Sequence, residues 1–206
     1  MNIRPRNRRI GILLSGRGSN FEAIAANVES GKLAAEIAIV ISNVEYAPGL
    51  ARARDRGLNA VCIPSKGKTR EIFDTELADA LRAADVSLVV LAGFMRIFSP
   101  VMLLAFPNLI LNIHPSLLPS FPGVDVQQQA LDYGAKFSGC TVHIVNEVLD
   151  GGPIVLQSAV PILPADDATS LAARILVEEH RIYSDAIDLI LSGRCELQGR
   201  RIVVKD

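Results

Sequence analysis

Cysteine is scarce in this sequence of 206 residues, and its placement is uninformative for cross-links. The three cysteines, Cys62, Cys140 and Cys195, are odd in number, far apart and outside any Cys-x-x-Cys spacing. This pattern argues against a disulfide framework and against a zinc site, so we expect no metal. It fits a reducing compartment, and we expect the protein to be cytoplasmic.

Long apolar runs are also missing, although 50% of the residues are hydrophobic and the mean hydropathy is +0.31. A membrane-spanning helix requires about 20 uninterrupted apolar residues. The basic start of the chain leads directly into a strand-like segment, without the apolar stretch of a secretory signal. We therefore expect a soluble protein with no membrane partner and a frayed, flexible basic tail over residues 1–8.

The chain has no surplus of positive charge, since its formal net charge is −1. Domains that bind nucleic acid carry an extended basic face. A nucleic-acid arm is the alternative function for the arginines of residues 1–8, and the charge balance of the whole chain argues against it. We expect no nucleic-acid partner. No internal repeat or low-complexity segment is visible.

The chain before Asn112 alternates between strand-like and helix-like segments. Its β-branched runs predict strands at Ile10–Leu14, Ile37–Ile41, Ala60–Ile63, Ser87–Leu91 and Leu109–Ile113. Apolar residues at helical spacing predict helices at Phe21–Val28, Leu50–Arg56 and Arg70–Ala84. Such alternation is typical of a parallel sheet covered by helices.

After Asn112 the pattern changes. A loop rich in proline and glycine precedes a helix, two long strands, a long helix and a terminal hairpin, predicted at Gln127–Tyr133, Gly139–Val145, Ile154–Val160, Thr169–Leu191 and Glu196–Val204. We therefore predict a single α/β domain over residues 1–206, Rossmann-like, with a mostly parallel central sheet, helices on both faces and a mixed C-terminal end.

The loop after the first strand, Ser15–Asn20, has the glycine pattern of an anion-binding turn. Its glycines let backbone N–H groups approach an anion at the positive end of a helix, and Ser19 with Glu22 has the form of a capping box. A tight turn without a ligand is equally compatible with this loop. A dinucleotide is disfavoured, because Phe21 replaces the third glycine and the second strand ends in Ser42-Asn43 rather than in an acid. A lone phosphate, such as a ribose 5-phosphate, suits the loop better.

A polar cluster follows the fifth strand. Side-chain alternation puts Asn112 and His114 on one face at the carboxyl edge of the sheet, where ligands bind in open α/β folds. An amide and an imidazole can hydrogen-bond an oxyanion, and the imidazole can also transfer a proton. Spacing alone leaves open that these groups only cap the backbone, and that Asp150 is a turn residue. If the sheet brings Asp150 beside His114, the carboxylate orients the ring and favours its charged form.

Other polar residues carry weaker signals. His143 lies in an alternating strand and is predicted to be a packed or hydrogen-bonded core residue, while His180 lies in the long helix. Neither histidine has the spacing of a metal ligand. Glu179 shares the apolar side of the long helix and can reach a ligand at the sheet edge, with Glu178 nearly as well placed. A solvated glutamate is the commoner outcome for either.

Four segments together resemble the phosphoribosylglycinamide formyltransferase family, and their order and spacing match over nearly the whole chain. They are Ser15–Asn20, Leu91–Pro100, Asn112–Pro119 and Leu149–Pro153. The run Asn-x-His-Pro-Ser-Leu-Leu-Pro is specific for folate-dependent formyl transfer. The resemblance implies a formyltransferase fold, with a phosphate-binding Rossmann-like half over residues 9–112 and a folate and catalytic half over residues 113–206.

The resemblance also implies the substrates and the residues that contact them. Catalysis is expected from Asn112, His114 and Asp150. Glycinamide ribonucleotide is expected against Gly18, Ser19, Asn20 and Glu179. The co-substrate 10-formyltetrahydrofolate is expected against Arg70, Met95, Arg96, Ile97, Phe98, Asn112, Asn146, Glu147, Val148, Leu149 and Asp150. No metal is needed, and a homodimer is left open.

Two departures from the family pattern stand out. Residues 123–127 read Gly-Val-Asp-Val-Gln where relatives commonly show a histidine, and Leu176 stands where some relatives carry a polar residue. A formyltetrahydrofolate deformylase, which resembles this family and uses water as the acceptor, is the alternative enzyme, but it normally carries an extra N-terminal domain that we do not expect here. A non-catalytic module that binds phosphorylated ligands is the other alternative. The presence of all three expected catalytic residues, Asn112, His114 and Asp150, argues against it, because a binding module does not need them.

Overall fold

The computed structural model describes residues 3–205. The parallel part of the chain runs through β1 (Arg9–Leu14), α1 (Ser19–Glu29), β2 (Glu36–Ser42), α2 (Pro48–Asp55), β3 (Ala60–Cys62), α3 (Arg70–Ala83), β4 (Leu88–Leu91), α4 (Pro100–Ala105) and β5 (Ile110–His114). The remainder comprises α5 (Val126–Tyr133), β6 (Phe137–Ile144), β7 (Ile154–Pro161), α6 (Ala168–Leu191), β8 (Cys195–Gln198) and β9 (Arg201–Val204).

Over these residues the strands form one nine-stranded sheet in the order β3-β2-β1-β4-β5-β6-β7-β9-β8. The first five are parallel, whereas β6 runs antiparallel to β5 and β7 antiparallel to β6. The predicted mostly parallel sheet with a mixed C-terminal end is confirmed. The strand order reverses between β1 and β4, which makes their carboxyl ends a switch point at which ligands bind in such folds.

Side chains alternate between two hydrophobic cores, one on each face of the sheet. On β1, Ile10, Ile12 and Leu14 belong to the first core, which also contains the buried faces of α1 and α6. Leu13 belongs to the second core, against α3 and α4. The sheet is therefore covered by helices on both faces, as predicted.

Local capping explains where the helices begin. Asp167 and Ser170 form a capping box at α6, and the Thr69 side chain accepts the N–H of Ile72 at α3. The capping box predicted for α1 is wrong. Because Gly18 is the N-cap, Glu22 lies one position too far along the helix to reach back to the N-cap N–H. Glu22 instead pairs with Arg56, the C-cap of α2, at 2.9 Å.

The segment before β1 is packed against the sheet. Ile3 is 2% exposed, and its N–H donates to the carbonyl at the start of β8 at 3.0 Å. The N–H groups of Arg6 and Asn7 donate to Ser87 Oγ at 3.1 and 3.0 Å. The prediction of a frayed tail is therefore wrong for residues 3–8, because a buried isoleucine and several hydrogen bonds offset the entropy lost on ordering. The first two residues lie outside the described range.

No helix within residues 3–205 is long and apolar enough to cross a membrane.

Candidate active site

The loops after β1, β4 and β5 lie at the carboxyl edge of the parallel strands. The loop after the antiparallel β6 begins beside Ile110, at the start of β5, and brings Asp150 to His114. We name them by the strand they follow: the β1 loop (Ser15–Gly18), the β4 loop (Ala92–Ser99), the β5 loop (Pro115–Asp125) and the β6 loop (Val145–Pro153). The first two are joined by a backbone hydrogen bond of 3.0 Å from the N–H at the start of the β1 loop to the Gly93 carbonyl. The edge thus gathers the segments that the sequence singled out.

His114 ends β5 and lies beside Asp150 of the β6 loop. Its Nδ1 is 3.5 Å from Asp150 Oδ2, and the two side chains are 5% and 8% exposed. Its Nε2 is 2.9 Å from the Phe121 carbonyl, which can only accept a hydrogen bond. Both ring nitrogens therefore face oxygen acceptors. The predicted contact between His114 and Asp150 is present.

The Asp150 carboxylate is fixed by its own loop and by the β5 loop. The N–H of Gly123 donates to Asp150 Oδ2 at 2.9 Å. Asp150 adopts a left-handed backbone conformation, with φ of 50°, which aspartate tolerates better than most residues. A Cβ at Gly152 would lie 1.7 Å from the Ile144 carbonyl oxygen, so only glycine fits this turn. Glycine at position 152 is thus required by the path of the turn that carries Asp150.

Asn112 is oriented by a histidine on the adjacent strand. Its Nδ2 is 3.2 Å from His143 Nε2, and the two residues are direct partners in the β5–β6 register. Burial lowers the pKa of His143 below its usual value, which favours the neutral ring. His143 Nδ1 is 3.2 Å from the Ile144 carbonyl, so the proton lies on Nδ1 and Nε2 accepts from Asn112. The second N–H of the Asn112 amide donates to no other group within residues 3–205 and is available to a ligand.

His143 is buried and hydrogen-bonded, as predicted, but sequence reasoning missed its place beside the trio. Its Nε2 also lies 3.8 Å from Asp150 Oδ1. Alternation in β6 indicated only which face His143 occupies. The antiparallel register that sets it opposite Asn112 could not be read from the sequence.

The β1 loop presents an uncapped helix start. Gly18 is the N-cap of α1, with φ of 76°, and has no side chain to occupy the first N–H groups of the helix. A Cβ at Gly18 would lie 2.9 Å from the Gly49 Cα, because the start of α2 packs closely against this loop. Glycine is therefore required both for the left-handed backbone and for the close approach.

Asn20 and Glu179 form a buried polar pair behind the β1 loop. Asn20 Nδ2 donates to Glu179 Oε2 at 2.7 Å, and each residue is 8% exposed. Burial raises the pKa of Glu179 above its usual value. Asn20 Oδ1 is buried without a hydrogen-bond partner among residues 3–205, and such an atom costs about 1–3 kcal/mol unless a ligand satisfies it. The predicted position of Glu179 on the buried side of α6 is confirmed.

The β4 loop combines exposed apolar side chains with a buried anchor. Met95 and Ile97 are 78% and 57% exposed, whereas Phe98 is 9% exposed and its ring stacks on Phe94 at 5.6 Å between centroids in the second core. The guanidinium of Arg96 lies 5.2 Å above a second-core phenylalanine ring. Met95 and Ile97 are thus available to a ligand, while the Phe98 ring belongs to the core and could contribute only its backbone.

The other predicted folate contacts lie on exposed segments. Val148 and Leu149 are 63% and 57% exposed, and they share the β6 loop with Asn146 and Glu147, which are also exposed. Arg70 is exposed at the first residue of α3. The β6 loop therefore presents an apolar tip next to the buried Asp150 carboxylate.

Cys140 offers no rival nucleophile, because burial raises the pKa of its thiol to about 12. No group of three or more histidine, cysteine, aspartate or glutamate side chains within the described part of the chain could hold a metal ion. What the edge presents is the His114 imidazole beside the Asp150 carboxylate, with the Asn112 amide linked to them through His143, next to an uncapped helix start. Such a set can stabilise an oxyanion and move a proton on a phosphorylated substrate.

Comparison with known proteins places this geometry in a family. A family model described as Formyl transferase, Formyl_trans_N, matches residues 8–187. The chain belongs to the formyl transferase family. Within this family it is 40% identical to the phosphoribosylglycinamide formyltransferase of Escherichia coli K12, over 90% of this chain and 88% of that protein.

Two further relatives extend the comparison. The crystal structure of glycinamide ribonucleotide transformylase 1 from Symbiobacterium toebii has a TM-score of 0.94 and 49% identity, over 97% of this chain and 95% of that chain. The chain is also 44% identical, over 93% of its length, to the trifunctional purine biosynthetic protein adenosine-3 of Drosophila melanogaster. It spans only 14% of the length of that larger protein.

Proposed function

We propose that this chain transfers the formyl group of 10-formyltetrahydrofolate to the amine of glycinamide ribonucleotide, giving formylglycinamide ribonucleotide and tetrahydrofolate in purine biosynthesis. One observation carries the proposal. The buried His114–Asp150 pair, with Nδ1 3.5 Å from Oδ2, lies at the same sheet edge as the uncapped start of α1. A proton-transfer group and a phosphate-binding feature at one edge suit a phosphorylated amine as acceptor.

The reaction is a direct acyl transfer. The substrate amine attacks the formyl carbon, a C–N bond forms, and the carbonyl oxygen becomes an oxyanion. The free N–H of Asn112 and a proton on His114 stabilise that oxyanion, which is the largest contribution expected in acyl transfer. The bond from the formyl carbon to the folate nitrogen then breaks. The amine loses one proton, and the folate nitrogen gains one.

Asp150 has two roles in this proposal. It keeps the His114 ring oriented, and through water it helps to move the proton from the attacking amine to the leaving nitrogen. The Gly123 N–H on Asp150 Oδ2 holds the carboxylate in place during both steps. No covalent intermediate with the protein forms, and neither a metal nor a nucleoside triphosphate is required.

The two substrates occupy opposite sides of the sheet edge. The ribonucleotide phosphate binds at Gly18, Ser19 and the start of α1, and Asn20 with Glu179 contacts the sugar. The folate lies against Met95, Ile97 and the β6 loop, with Arg70 at its outer end. These contacts do not respect the expected division into a phosphate-binding half (residues 9–112) and a folate half (residues 113–206). The β4 loop lies in the first half but contacts the folate, and Glu179 lies in the second half but contacts the ribonucleotide. Three free cysteines fit a cytoplasmic setting.

The test follows folate absorbance in the presence and absence of glycinamide ribonucleotide. Turnover that depends on the ribonucleotide supports the transferase. Turnover without it would identify a deformylase, and no turnover in either case would leave only a binding module. A His114→Asn variant with an unchanged melting temperature is the control, and it should lose the ribonucleotide-dependent rate.

A further inference from the structure

A ring of hydrogen bonds joins the β1 loop to the β4 loop. The Ser15 hydroxyl donates to Asn43 Oδ1 at 2.6 Å, and Asn43 Nδ2 donates to Ser65 Oγ at 3.4 Å. Arg96 Nη1 donates to the same Ser65 oxygen at 3.2 Å. The Met95 N–H donates to Ser15 Oγ at 2.9 Å. Because Met95 and Arg96 are adjacent in the chain, these four bonds close on themselves.

The Ser15 hydroxyl both donates and accepts a hydrogen bond within this ring. Its single hydrogen goes to Asn43, and its oxygen accepts from the Met95 backbone. Its backbone N–H separately donates to the Gly93 carbonyl at 3.0 Å. Removal of the hydroxyl alone would therefore keep the backbone hydrogen bond between Ser15 and Gly93. It would remove the hydrogen bond that holds the Met95 N–H in the β4 loop.

The β4 loop is anchored in the second core by Phe94 and Phe98, and polar contacts position the exposed residues between these two anchors. Met95 and Ile97 bury little surface, and the loop is fixed at its far end by Asp74, whose Oδ2 accepts the N–H of Ser99 at 2.6 Å. Between these points, Ser15 is the partner of the Met95 N–H. A shift of that N–H would move the two exposed side chains that the proposed function places against the folate.

We infer that Ser15 is a positioning residue for the folate pocket, although it lies in the loop that faces the ribonucleotide. Its hydroxyl sets the path of the β4 loop through the Met95 N–H and thereby sets folate affinity. This inference rests on the proposed function for the identity of the ligand. The position of the Met95 N–H itself can be measured without any ligand.

The test compares Ser15→Ala with the unaltered full chain. The dissociation constants of tetrahydrofolate and of glycinamide ribonucleotide are measured separately, together with hydrogen exchange at the Met95 amide. Ser30→Ala is the matched control, since it removes a serine hydroxyl from the exposed end of α1, where it donates to the Asn27 carbonyl at 3.3 Å. Asn43→Ala removes the acceptor of the Ser15 hydroxyl and leaves the bond to Met95.

The expected result is selective. Ser15→Ala should weaken tetrahydrofolate binding about threefold to tenfold, the scale of one lost neutral hydrogen bond, while ribonucleotide binding stays within about twofold. The Met95 amide should exchange its hydrogen faster in Ser15→Ala. Asn43→Ala should change the tetrahydrofolate affinity and the Met95 exchange rate in the same direction but by less. Ser30→Ala should shift neither.

Two results would overturn the inference: unchanged tetrahydrofolate affinity with unchanged Met95 exchange, or equal weakening of both ligands. If the unaltered protein bound no tetrahydrofolate, the proposed function would fail. The exchange rate of the Met95 amide would then still decide whether Ser15 holds the loop.

Discussion

Asp150 is the residue on which the two histidines of the site converge. His114 Nδ1 and His143 Nε2 lie 3.5 and 3.8 Å from its two oxygens. A carboxylate in this position presents a negative charge to the site, and an amide of the same size does not. The value of Asp150 therefore depends on charge rather than on a hydrogen bond alone.

Asp150→Asn should keep the fold, because asparagine also tolerates the left-handed backbone and can still accept the Gly123 N–H. We expect kcat to fall about 100-fold or more, the scale of a lost acid–base or oxyanion contribution, with small changes in the affinity of either substrate. Steady-state kinetics and thermal unfolding measure both effects. Asp85→Asn is the control, since Asp85 has φ of 53° and lies just after α3, away from the site. A near-normal rate for Asp150→Asn would reduce Asp150 to a turn residue.

Replacing Glu179 by glutamine should stabilise the protein, and the gain should depend on pH. Burial raises its pKa above the usual 4.5, so the folded protein binds that proton more tightly than the unfolded chain does. Stability therefore falls as the pH rises from the ordinary carboxyl range through the raised pKa. Glu179→Gln should melt about 2–4 °C higher at about pH 8, which corresponds to about 1 kcal/mol, with a smaller difference at about pH 5. Ribonucleotide affinity should fall in the same variant. A Glu179→Gln variant that melts below the unaltered protein at about pH 8 would contradict this prediction.

For individual residues, the sequence predicted those that stand in recognisable motifs and missed the side chains that contact them. Asn112, His114 and Asp150 were singled out because they stand in runs with a recognisable order, and Glu179 because helical spacing placed it on a buried side. His143 stands in no such run. Its contact with Asn112 depends on the register of two antiparallel strands, which is set by packing over the whole sheet.

Among the elements, the β4 loop and α4 show how packing modifies a sequence pattern. The family resemblance implies folate contacts along the whole run of residues 95–98, but the structure divides this run between solvent and core. Phe98 packs in the second core, and α4 then begins at Pro100. The helix was not predicted, since a six-residue helix is too short to show a periodic pattern.

This division predicts different outcomes for two alanine variants of the β4 loop. Phe98→Ala should lower the free energy of unfolding by about 3–5 kcal/mol, because it empties a packed site. Met95→Ala should change stability by about 0.5 kcal/mol or less and weaken tetrahydrofolate binding about tenfold, because its exposed side chain is free to contact the ligand. Chemical denaturation and the dissociation constant of tetrahydrofolate separate the two. A stable Phe98→Ala variant that loses folate binding would show that the ring lines the cleft.

For the whole molecule, alternation of strand and helix patterns was sufficient to predict the parallel sheet with helices on both faces. The bounds of most strands follow from β-branched runs bordered by polar residues. The docking of residues 3–8 could not be predicted, because three arginines dominate that segment and the single buried Ile3 gives no periodic signal. The sheet also joins the two predicted halves through β5–β6 pairing, which places residues of both halves side by side at the candidate site.

The fate of the formyl carbon tests the central claim most directly. The unaltered protein is supplied with 10-formyltetrahydrofolate labelled at that carbon and with glycinamide ribonucleotide, and the products are separated. The account predicts that the label appears as a formamide on the ribonucleotide, in an amount equal to the tetrahydrofolate formed. Label released as free formate, with the ribonucleotide amine unchanged, would contradict it.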